Sequence, residues 1–582
     1  MPNVYPRAAS ASAVSFNWRL ALSSIAIGCA YLAASWHVSG PAYLRDEIGY
    51  LANAAFLTNH RIDAASSFHA GYSFLIAPAF LFSDPKVVWK GVLTINAIMW
   101  AANFAMLCAI LRRLLPHAQP SRLLTVTMIS ALYPTWIISS GYAFATTAFA
   151  AVFLASVLAL FLWSRDNPLS ILPHAALVGY LYWVHPTGAA VAFVSVLAVA
   201  LGAWRWRDAR PPLLHAALVV ALILAYQRGV HPWIVASMTP SGYTPEIHYP
   251  SLASALKTLF SWQGFSVFAT MVAGQFAYFI VGSFGLAIAG LLFCSRQILS
   301  PRNDDGHAAH EENVRSACLL IGLAPVSIIA LGAIAFFHWD RFEGGFWIYG
   351  RYLDGAMLPV LAIGLAVFRP DIRLAASSIF LLAAGLLLAT MVPSALEHDI
   401  SDTVAFWPQY LSRNAGFFTW MLLGALAVAA VAQFGRGLAV ALMTASFAVS
   451  IYHQTIWHNW FLTDLSAPSS LVETIRSTVP PGACVGVNPT LPAEATLFQR
   501  TRYRLNSFYL FDYAYRRMSP TEWLEQCDGP YLTYDVPRLE EIGSARRVAR
   551  DTKLDLLLVE RADKANARSP AARSEPARSP DR

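Results

Sequence analysis

Two adjacent carboxylates, Asp46 and Glu47, lie in the stretch AYLRDEIGYLANAAFLTNH, which follows the first apolar segment of the chain. Two neighbouring acids repel each other, which raises one of the two pKa values of such a pair. The pair therefore fits one of two roles. It either caps a solvated juxtamembrane helix, whose start favours acids, or it belongs to a site that uses a carboxylate as a base.

The elements that must position this pair are membrane spans. The chain has 582 residues, of which 56% are hydrophobic and 13% are charged, and its mean hydropathy is +0.48. Soluble domains carry more charge, so this composition predicts a polytopic α-helical membrane protein. Thirteen stretches are long enough to cross about 30 Å of hydrocarbon. They are residues 20–36, 87–111, 123–140, 142–163, 169–185, 187–204, 213–233, 265–294, 317–337, 347–368, 374–392, 417–432 and 438–457.

The connections between these stretches alternate in charge. The net charge of +7 comes from short arginine clusters and not from one basic face, so no nucleic-acid partner is expected. The arginine-rich connections share the side of the amino terminus, which the positive-inside rule assigns to the cytoplasm. Loops 37–86, 234–263, 338–346 and 393–416 are richer in aromatic residues, histidine and acids, and they fall on the outer side.

An odd number of spans places everything after about residue 458 on the outer side as well. We expect residues 1–460 to form the membrane module, with 37–86 as its catalytic loop, and residues 466–562 to form a small α/β domain. In that domain LVETIRSTV reads as a helix, whereas PPGACVGVNP and LDLLLVE read as strands. Residues 563–582 repeat Arg-Ser-Pro and lack apolar side chains, which predicts a disordered tail.

Six cysteines are present, and four of them lie in or beside apolar stretches, where a thiol behaves as a small hydrophobe. Cys484 and Cys527 are the two in the polar domain. Because the span count puts that domain in an oxidising compartment, we expect them to form a disulfide. The spacing of cysteine and histidine matches no zinc or redox motif.

Four motifs together carry a family resemblance. They are Asp46-Glu47 with Tyr50 following, HAGYSFLIAPAF (69–80), GQFAYF (274–279) and YGRYLDGAMLPV (349–360). With their placement in the predicted topology, they resemble the GT-C superfamily of polyprenyl-phosphate-dependent glycosyltransferases, and within it the lipid A aminoarabinose transferases and protein O-mannosyltransferases.

The resemblance implies transfer of one sugar from an undecaprenyl-phosphate donor to a glycan, lipid or protein acceptor. The reaction would occur at the periplasmic face of a bacterial inner membrane. It further implies that Asp46 is the general base for the acceptor hydroxyl, with Glu47 as its partner or as a structural anchor. The same motifs supply the candidates for the substrate cavity, which are Tyr50, His69, Tyr72, Tyr349 and Asp354.

A lipid phosphate that leaves needs cations or hydrogen-bond donors at headgroup depth. Arg351 is the first candidate, and its alternative role is a self-contained pair with Asp354, one helical turn away. Arg228 either binds phosphate or extends to the interface. His185 is either a donor or a helix-end residue, and Lys86 is either a donor or a surface anchor. No cofactor is firmly implied, and these residues are compatible with a divalent metal ion.

The sequence departs from the family in HAGY, where many relatives have Pro-Gly-Tyr, and in YAFATTAF (142–149), where relatives often carry a glutamate. The second departure questions any acceptor contact made by that acid. One competing interpretation is a transporter or flippase for a lipid-linked sugar, although the internal repeats and broken helices of such proteins are not visible. Another is an enzyme like an O-antigen ligase or polymerase.

Overall fold

A computed structural model of the chain describes residues 7–42, 46–62, 67–164, 166–238, 259–283, 285–300, 308–336, 351–368, 466–488, 505–534, 545–551 and 556–561, with a few single positions between them. The predicted spans 374–392, 417–432 and 438–457 and the tail 563–582 lie outside these residues or touch them only at single positions. By length and composition, four described helices could cross a membrane: 16–35, 85–114, 210–238 and 311–334.

The membrane module is a bundle of helices. In chain order they are α1 (Arg7–Ser35), α2 (Asp46–Leu57), α3 (Gly71–Ile76), a 3₁₀ turn (Ala77–Leu81), α4 (Pro85–Leu114), α5 (Pro120–Ala131), α6 (Pro134–Ser140), α7 (Ala145–Leu160), a 3₁₀ turn (Pro168–Ile171), α8 (Leu172–Val184), α9 (Gly188–Trp206), α10 (Arg210–Ala225), a π-helical turn (Tyr226–Val230), α11 (His231–Met238), α12 (Trp262–Gly282), α13 (Leu286–Leu299), α14 (Ala308–Phe336) and α15 (Arg351–Val367).

Helix α4 shows how the sequence sets the bounds of a span. The Asp84 side chain accepts a hydrogen bond from the Lys86 backbone N–H at 2.8 Å, and Pro85 occupies the first helical position, where its missing N–H costs nothing. At the other end, Arg112 and Arg113 lie in the last turn, where cations suit the negative end of the helix dipole.

Two of the predicted spans are not continuous helices. The span 265–294 is wrong as drawn, because α12 ends at Gly282 and α13 begins at Leu286. Gly285 between them has φ of 74°, which no α-helix contains. The span 123–140 is divided into α5 and α6 before Pro134, which lacks an N–H and disfavours the helical conformation in the preceding residue.

Two side chains of α14 hold it to neighbouring segments. The Asn313 amide donates to the carbonyl of Trp163 at 2.8 Å, and the Arg315 guanidinium donates to the carbonyl of Ser300 at 3.0 Å. These bonds join the amino-terminal part of α14 to the residues that follow α7 and α13.

A buried polar chain joins four helices inside the bundle. His174 Nδ1 lies 2.8 Å from the Ser156 carbonyl, His174 Nε2 lies 2.7 Å from Ser195 Oγ, and Ser195 Oγ lies 2.9 Å from His215 Nε2. A carbonyl only accepts, so His174 Nδ1 donates and its Nε2 accepts from the Ser195 hydroxyl. The chain therefore runs from His215 through Ser195 to His174, and it links α7, α8, α9 and α10.

The carboxy-terminal part is a small α/β domain. It contains α16 (Ser470–Thr478), β1 (Cys484–Val487), β2 (Ala514–Arg517), α17 (Pro520–Gln526), β3 (Tyr531–Thr533), β4 (Ala545–Asp551) and β5 (Leu556–Arg561). The strand order is β2-β1-β3-β5-β4, in which β1 pairs parallel with β2 and β3, whereas β5 is antiparallel to β3 and β4. The helix in LVETIRSTV and the strands in ACVGV and LDLLLVE are thus present.

Candidate active site

Helix α2 begins at Asp46 and places Glu47 in the interior. Glu47 is fully buried, and its two carboxylate oxygens accept hydrogen bonds from the backbone N–H groups of Ala42, at 2.8 Å, and Ala143, at 2.7 Å. Burial raises the pKa of Glu47 to about 8, although the two amide hydrogen bonds lower it. Glu47 therefore fastens α2 to the α6–α7 connection. The Asp46 side chain lies outside the described part of the structure.

The α6–α7 connection is held from a second direction by Asn96 of α4. The Asn96 amide donates to the carbonyls of Ser140, at 3.3 Å, and Tyr142, at 2.8 Å, and its Oδ1 accepts from the Tyr72 hydroxyl at 2.9 Å. Sequence reasoning missed Asn96, which is fully buried; an asparagine inside an apolar span was a signal that its side chain is paired, although the sequence does not show with what. Tyr72 thus supports the pocket wall from behind and does not line the pocket.

A pocket lies where α2, α7, the α8–α9 turn and α15 meet. Two of the predicted site residues, Tyr50 and His185, come together here from positions far apart in the sequence. The lining consists of Tyr50, Phe144, Ala145, Thr146, Phe149, His185, Thr187 and Gly355. Aromatic faces with a few hydroxyl and imidazole groups suit the mixed apolar and polar surface of a sugar.

His185 presents one defined tautomer. The Thr187 backbone N–H points at His185 Nδ1 at 3.3 Å, and the Thr187 hydroxyl lies 2.8 Å from the same atom. Because Nδ1 accepts, the neutral ring carries its proton on Nε2. His185 is part of the pocket lining, and Thr187, which the sequence reading did not single out, fixes its tautomer.

His69, two residues before the start of α3, is not among the residues that line the pocket. Its Nδ1 donates to the Tyr182 carbonyl, and its ring packs against Tyr182, Tyr226 and His231 at centroid distances of 4.9, 4.8 and 5.8 Å. Burial is the main cause that lowers the pKa of His69 to about 3. His231 adds to the effect, and the hydrogen bond to Tyr182 opposes it. A neutral His69 cannot attract a phosphate by charge.

Helix α15 begins at Arg351, whose side chain lies outside the described part of the structure, as does Tyr349 altogether. Asp354, one turn further on, is fully buried, and its Oδ1 accepts a hydrogen bond from the Tyr278 hydroxyl at 3.2 Å. Tyr278 belongs to the GQFAYF motif, so this bond joins two of the motifs. Gly355, next to Asp354, lines the pocket.

The other two cationic candidates have exposed side chains. Lys86 lies in the first turn of α4, and Arg228 lies in the π-helical turn. Neither is among the residues that line the pocket. Lys90, one turn after Lys86, donates to the carbonyl of Trp36 and, at 2.9 Å, to that of Val38, so it ties α4 to the end of α1.

The two cysteines of the carboxy-terminal domain are bonded to each other. Cys484 and Cys527 form a disulfide, with their Cα atoms 5.5 Å apart.

The described residues contain no cluster of metal ligands. Among them, no three His, Cys, Asp or Glu side chains lie close enough together to hold a metal ion.

Comparison with known proteins gives a likeness at the level of the fold. No family model matches the chain, and no curated protein matches it. The chain is similar to the crystal structure of ArnT from Cupriavidus metallidurans bound to undecaprenyl phosphate, with a TM-score of 0.52 and 14% identity over 92% of this chain and 97% of that chain. The apo crystal structure of the same protein gives a TM-score of 0.49 and 15% identity over 95% and 98%. The resemblance is therefore confirmed at the level of the fold, and the chain shares the polytopic membrane fold of ArnT.

Proposed function

We propose that this protein is a membrane glycosyltransferase that moves a single sugar from a polyprenyl-phosphate donor to a glycan, lipid or protein acceptor. One observation carries the proposal: the pocket between Tyr50, His185 and Gly355 lies beside the start of α2, in a fold shared with an ArnT that was crystallised with undecaprenyl phosphate. The site would open to the periplasmic face of a bacterial inner membrane. The amino terminus would be cytoplasmic and the domain from residue 466 periplasmic.

Asp46 is the proposed general base. It is the first residue of α2, one position before Glu47, whose two oxygens are both bound to backbone amides. A carboxylate held in that way is suited to anchoring and less to catalysis. The two acids thus divide the work: Glu47 fixes the start of the helix, and Asp46 accepts the proton of the acceptor hydroxyl.

The proposed reaction is a single displacement. The acceptor oxygen attacks the anomeric carbon as its proton passes to Asp46, and the bond from that carbon to the phosphate oxygen breaks. The electron pair leaves with the polyprenyl phosphate, and the configuration at the anomeric carbon inverts. No nucleotide takes part.

The departing phosphate needs stabilisation, which we assign first to Arg351. It opens α15, the helix that contributes Gly355 to the pocket wall, and we propose that Asp354, buried one turn further on, orients its guanidinium. His185 adds a neutral donor through Nε2. Lys86 and Arg228 are exposed, and we propose them for the phosphate and headgroup region of the bound lipid.

The direct test uses the full chain in nanodiscs with radiolabelled undecaprenyl-phosphate sugars and a membrane extract of the source bacterium as acceptor. A transferase releases undecaprenyl phosphate and moves the label into an acceptor fraction. A flippase instead leaves the bond between sugar and phosphate intact and moves the donor between the two leaflets of sealed vesicles. Intact donor after prolonged incubation with the complete extract would refute the proposal.

A further inference from the structure

The carboxy-terminal domain contacts the membrane module through three aromatic residues, Phe508, Tyr509 and Phe511, here called the aromatic clamp. The Phe511 ring stacks on His60 with centroids 5.0 Å apart and meets Phe80 edge-on at 5.6 Å. The clamp residues are all at least 97% buried. The contact between the domain and the membrane module is therefore a packed, buried interface.

The remaining two clamp residues contact the membrane module near the two ends of the candidate catalytic loop. Phe508 meets Trp89, in the second turn of α4, at 6.2 Å. The Tyr509 hydroxyl donates to the carbonyl of Ser466, and its ring lies so close to Gly40 that a Cβ there would clash with it. The clamp thus covers both ends of the segment that contains α2.

The clamp is itself held rigidly within its domain. Arg476 of α16 donates to the carbonyl of Tyr509 at 2.9 Å and to the carboxylate of Asp512 at 2.8 Å. The Tyr513 hydroxyl, just after the clamp, donates to the carbonyl of Val479 at 3.0 Å. The domain core therefore fixes the positions of the three rings.

His60 connects the clamp to α2. The His60 backbone N–H donates to the carbonyl of Ala55, in the last turn of α2, at 2.8 Å, across a turn in which Asn59 takes φ of 62°. Holding the His60 ring therefore holds the end of a helix of 12 residues. The opposite end of that helix carries Asp46 and Glu47.

We propose that the carboxy-terminal domain is a working part of the active site, in which Phe511 is a positioning residue that fixes α2 through His60 and Phe80. The catalytic aspect of this inference rests on the proposed function. The clamp touches no substrate, and it acts by setting where α2 lies relative to the pocket.

The test measures backbone hydrogen exchange of residues 46–57 and transfer kinetics, both on the full chain in nanodiscs. Phe511→Ala should raise the exchange rate of the α2 amides about tenfold or more. It should lower kcat by roughly 10- to 100-fold with little change in the donor KM, because the base is displaced while the phosphate site remains. Phe511→Leu keeps the apolar bulk and should give smaller changes in the same directions, with less risk of misfolding.

Val559→Ala is the matched control. Val559 is 3% exposed and packs in the domain's other core, with Trp523 and Tyr531, away from the clamp. This variant weakens the domain without touching the clamp, so α2 exchange should stay at the wild-type rate.

Unchanged α2 exchange in both Phe511 variants, or an equal rise in Val559→Ala, would overturn the inference. Faster α2 exchange in the Phe511 variants alone would support it even if the wild-type protein transferred no sugar. That outcome would refute the proposed function but support the positioning role of the clamp, so the experiment tests the two proposals separately.

Discussion

Glu47 Oε1 accepts a hydrogen bond from the backbone N–H of Ala143 at 2.7 Å, across 96 positions of sequence. The bond joins the loop after the first span to the connection before α7. Since Ala145 and Thr146 at the start of α7 line the pocket, a single buried carboxylate sets the distance between two of its walls.

The first prediction concerns pH and stability. Burial raises the pKa of Glu47 from 4.5 to about 8. Between these two values the folded state binds a proton that the unfolded state has released, so the free energy of unfolding falls as pH rises through this window. Glutamine does not titrate, so the free energy of unfolding of Glu47→Gln should lack this part of the pH dependence. Thermal unfolding in detergent between pH 4.5 and 8.5 measures it, and Glu525→Gln, at an exposed position, is the control. Parallel pH profiles for wild type and Glu47→Gln would contradict the assignment.

The second prediction separates the two acids. Asp46→Asn should leave the fold and donor binding intact but reduce turnover by about 100-fold or more, because the acceptor proton then has no base. Single-turnover transfer measured at saturating donor gives the chemical step. If the Asn variant transfers at near the wild-type rate, Asp46 is not the base.

The third prediction concerns the leaving group. Lysine is a point charge and cannot reproduce the planar fork of a guanidinium on phosphate oxygens, so Arg351→Lys should bind undecaprenyl phosphate much more weakly than wild type. Binding can be followed by titration in nanodiscs, with the exposed Arg210→Lys, beyond the end of α9 that is opposite to His185, as control. Equal affinity in Arg351→Lys, Arg351→Ala and wild type would mean that Arg351 serves only to pair with Asp354.

The fourth prediction concerns the chain through His174, Ser195 and His215. Ser195→Ala removes the hydroxyl that links two fully buried imidazoles, and it should lower the free energy of unfolding by about 1–3 kcal/mol. Turnover of the folded fraction should be unchanged, since the chain lies away from the pocket. Thr125→Ala, at an exposed position, serves as control. A variant as stable as wild type would show that the two histidines find other partners.

The fifth prediction concerns the disulfide. With Cys29, Cys108, Cys294 and Cys318 replaced by serine or alanine, the denatured protein purified without reductant should take up no thiol label. Label should enter at Cys484 and Cys527 only after reduction. Labelling of both cysteines before reduction would contradict the disulfide and would count against a periplasmic location of the domain.

Much of the fold follows from local properties of the sequence. Apolar length predicted the helices of the bundle, and the change of periodicity after Ser466 predicted the α/β domain. The break at Gly285 was missed because residues 265–294 were treated as one apolar stretch, although Gly282, Ser283 and Gly285 lie within four residues and such clusters mark helix ends. The predicted span 265–294 therefore joined two helices.

Site residues could be predicted from the sequence where the type of side chain alone indicates a chemical role. Glu47, Tyr50 and His185 were chosen as acids, aromatics or imidazoles near expected outer ends, and Glu47 lies beside the pocket that the other two line. Asn96 and Phe511 were missed because their roles depend on contacts between distant segments. No local pattern specifies that Phe511 will meet His60.

The contact between Ser39 and Ser466 has a consequence for the order of synthesis. The Ser39 N–H donates to Ser466 Oγ at 3.3 Å across 427 positions. At about 5–20 residues per second, the ribosome needs on the order of 20–85 s to reach the second serine after the first. The loop that carries α2 is therefore synthesised long before the carboxy-terminal domain exists. If the clamp positions α2 as proposed, a chain that ends before residue 466 lacks the residues that do so, and we expect such a chain to transfer no sugar.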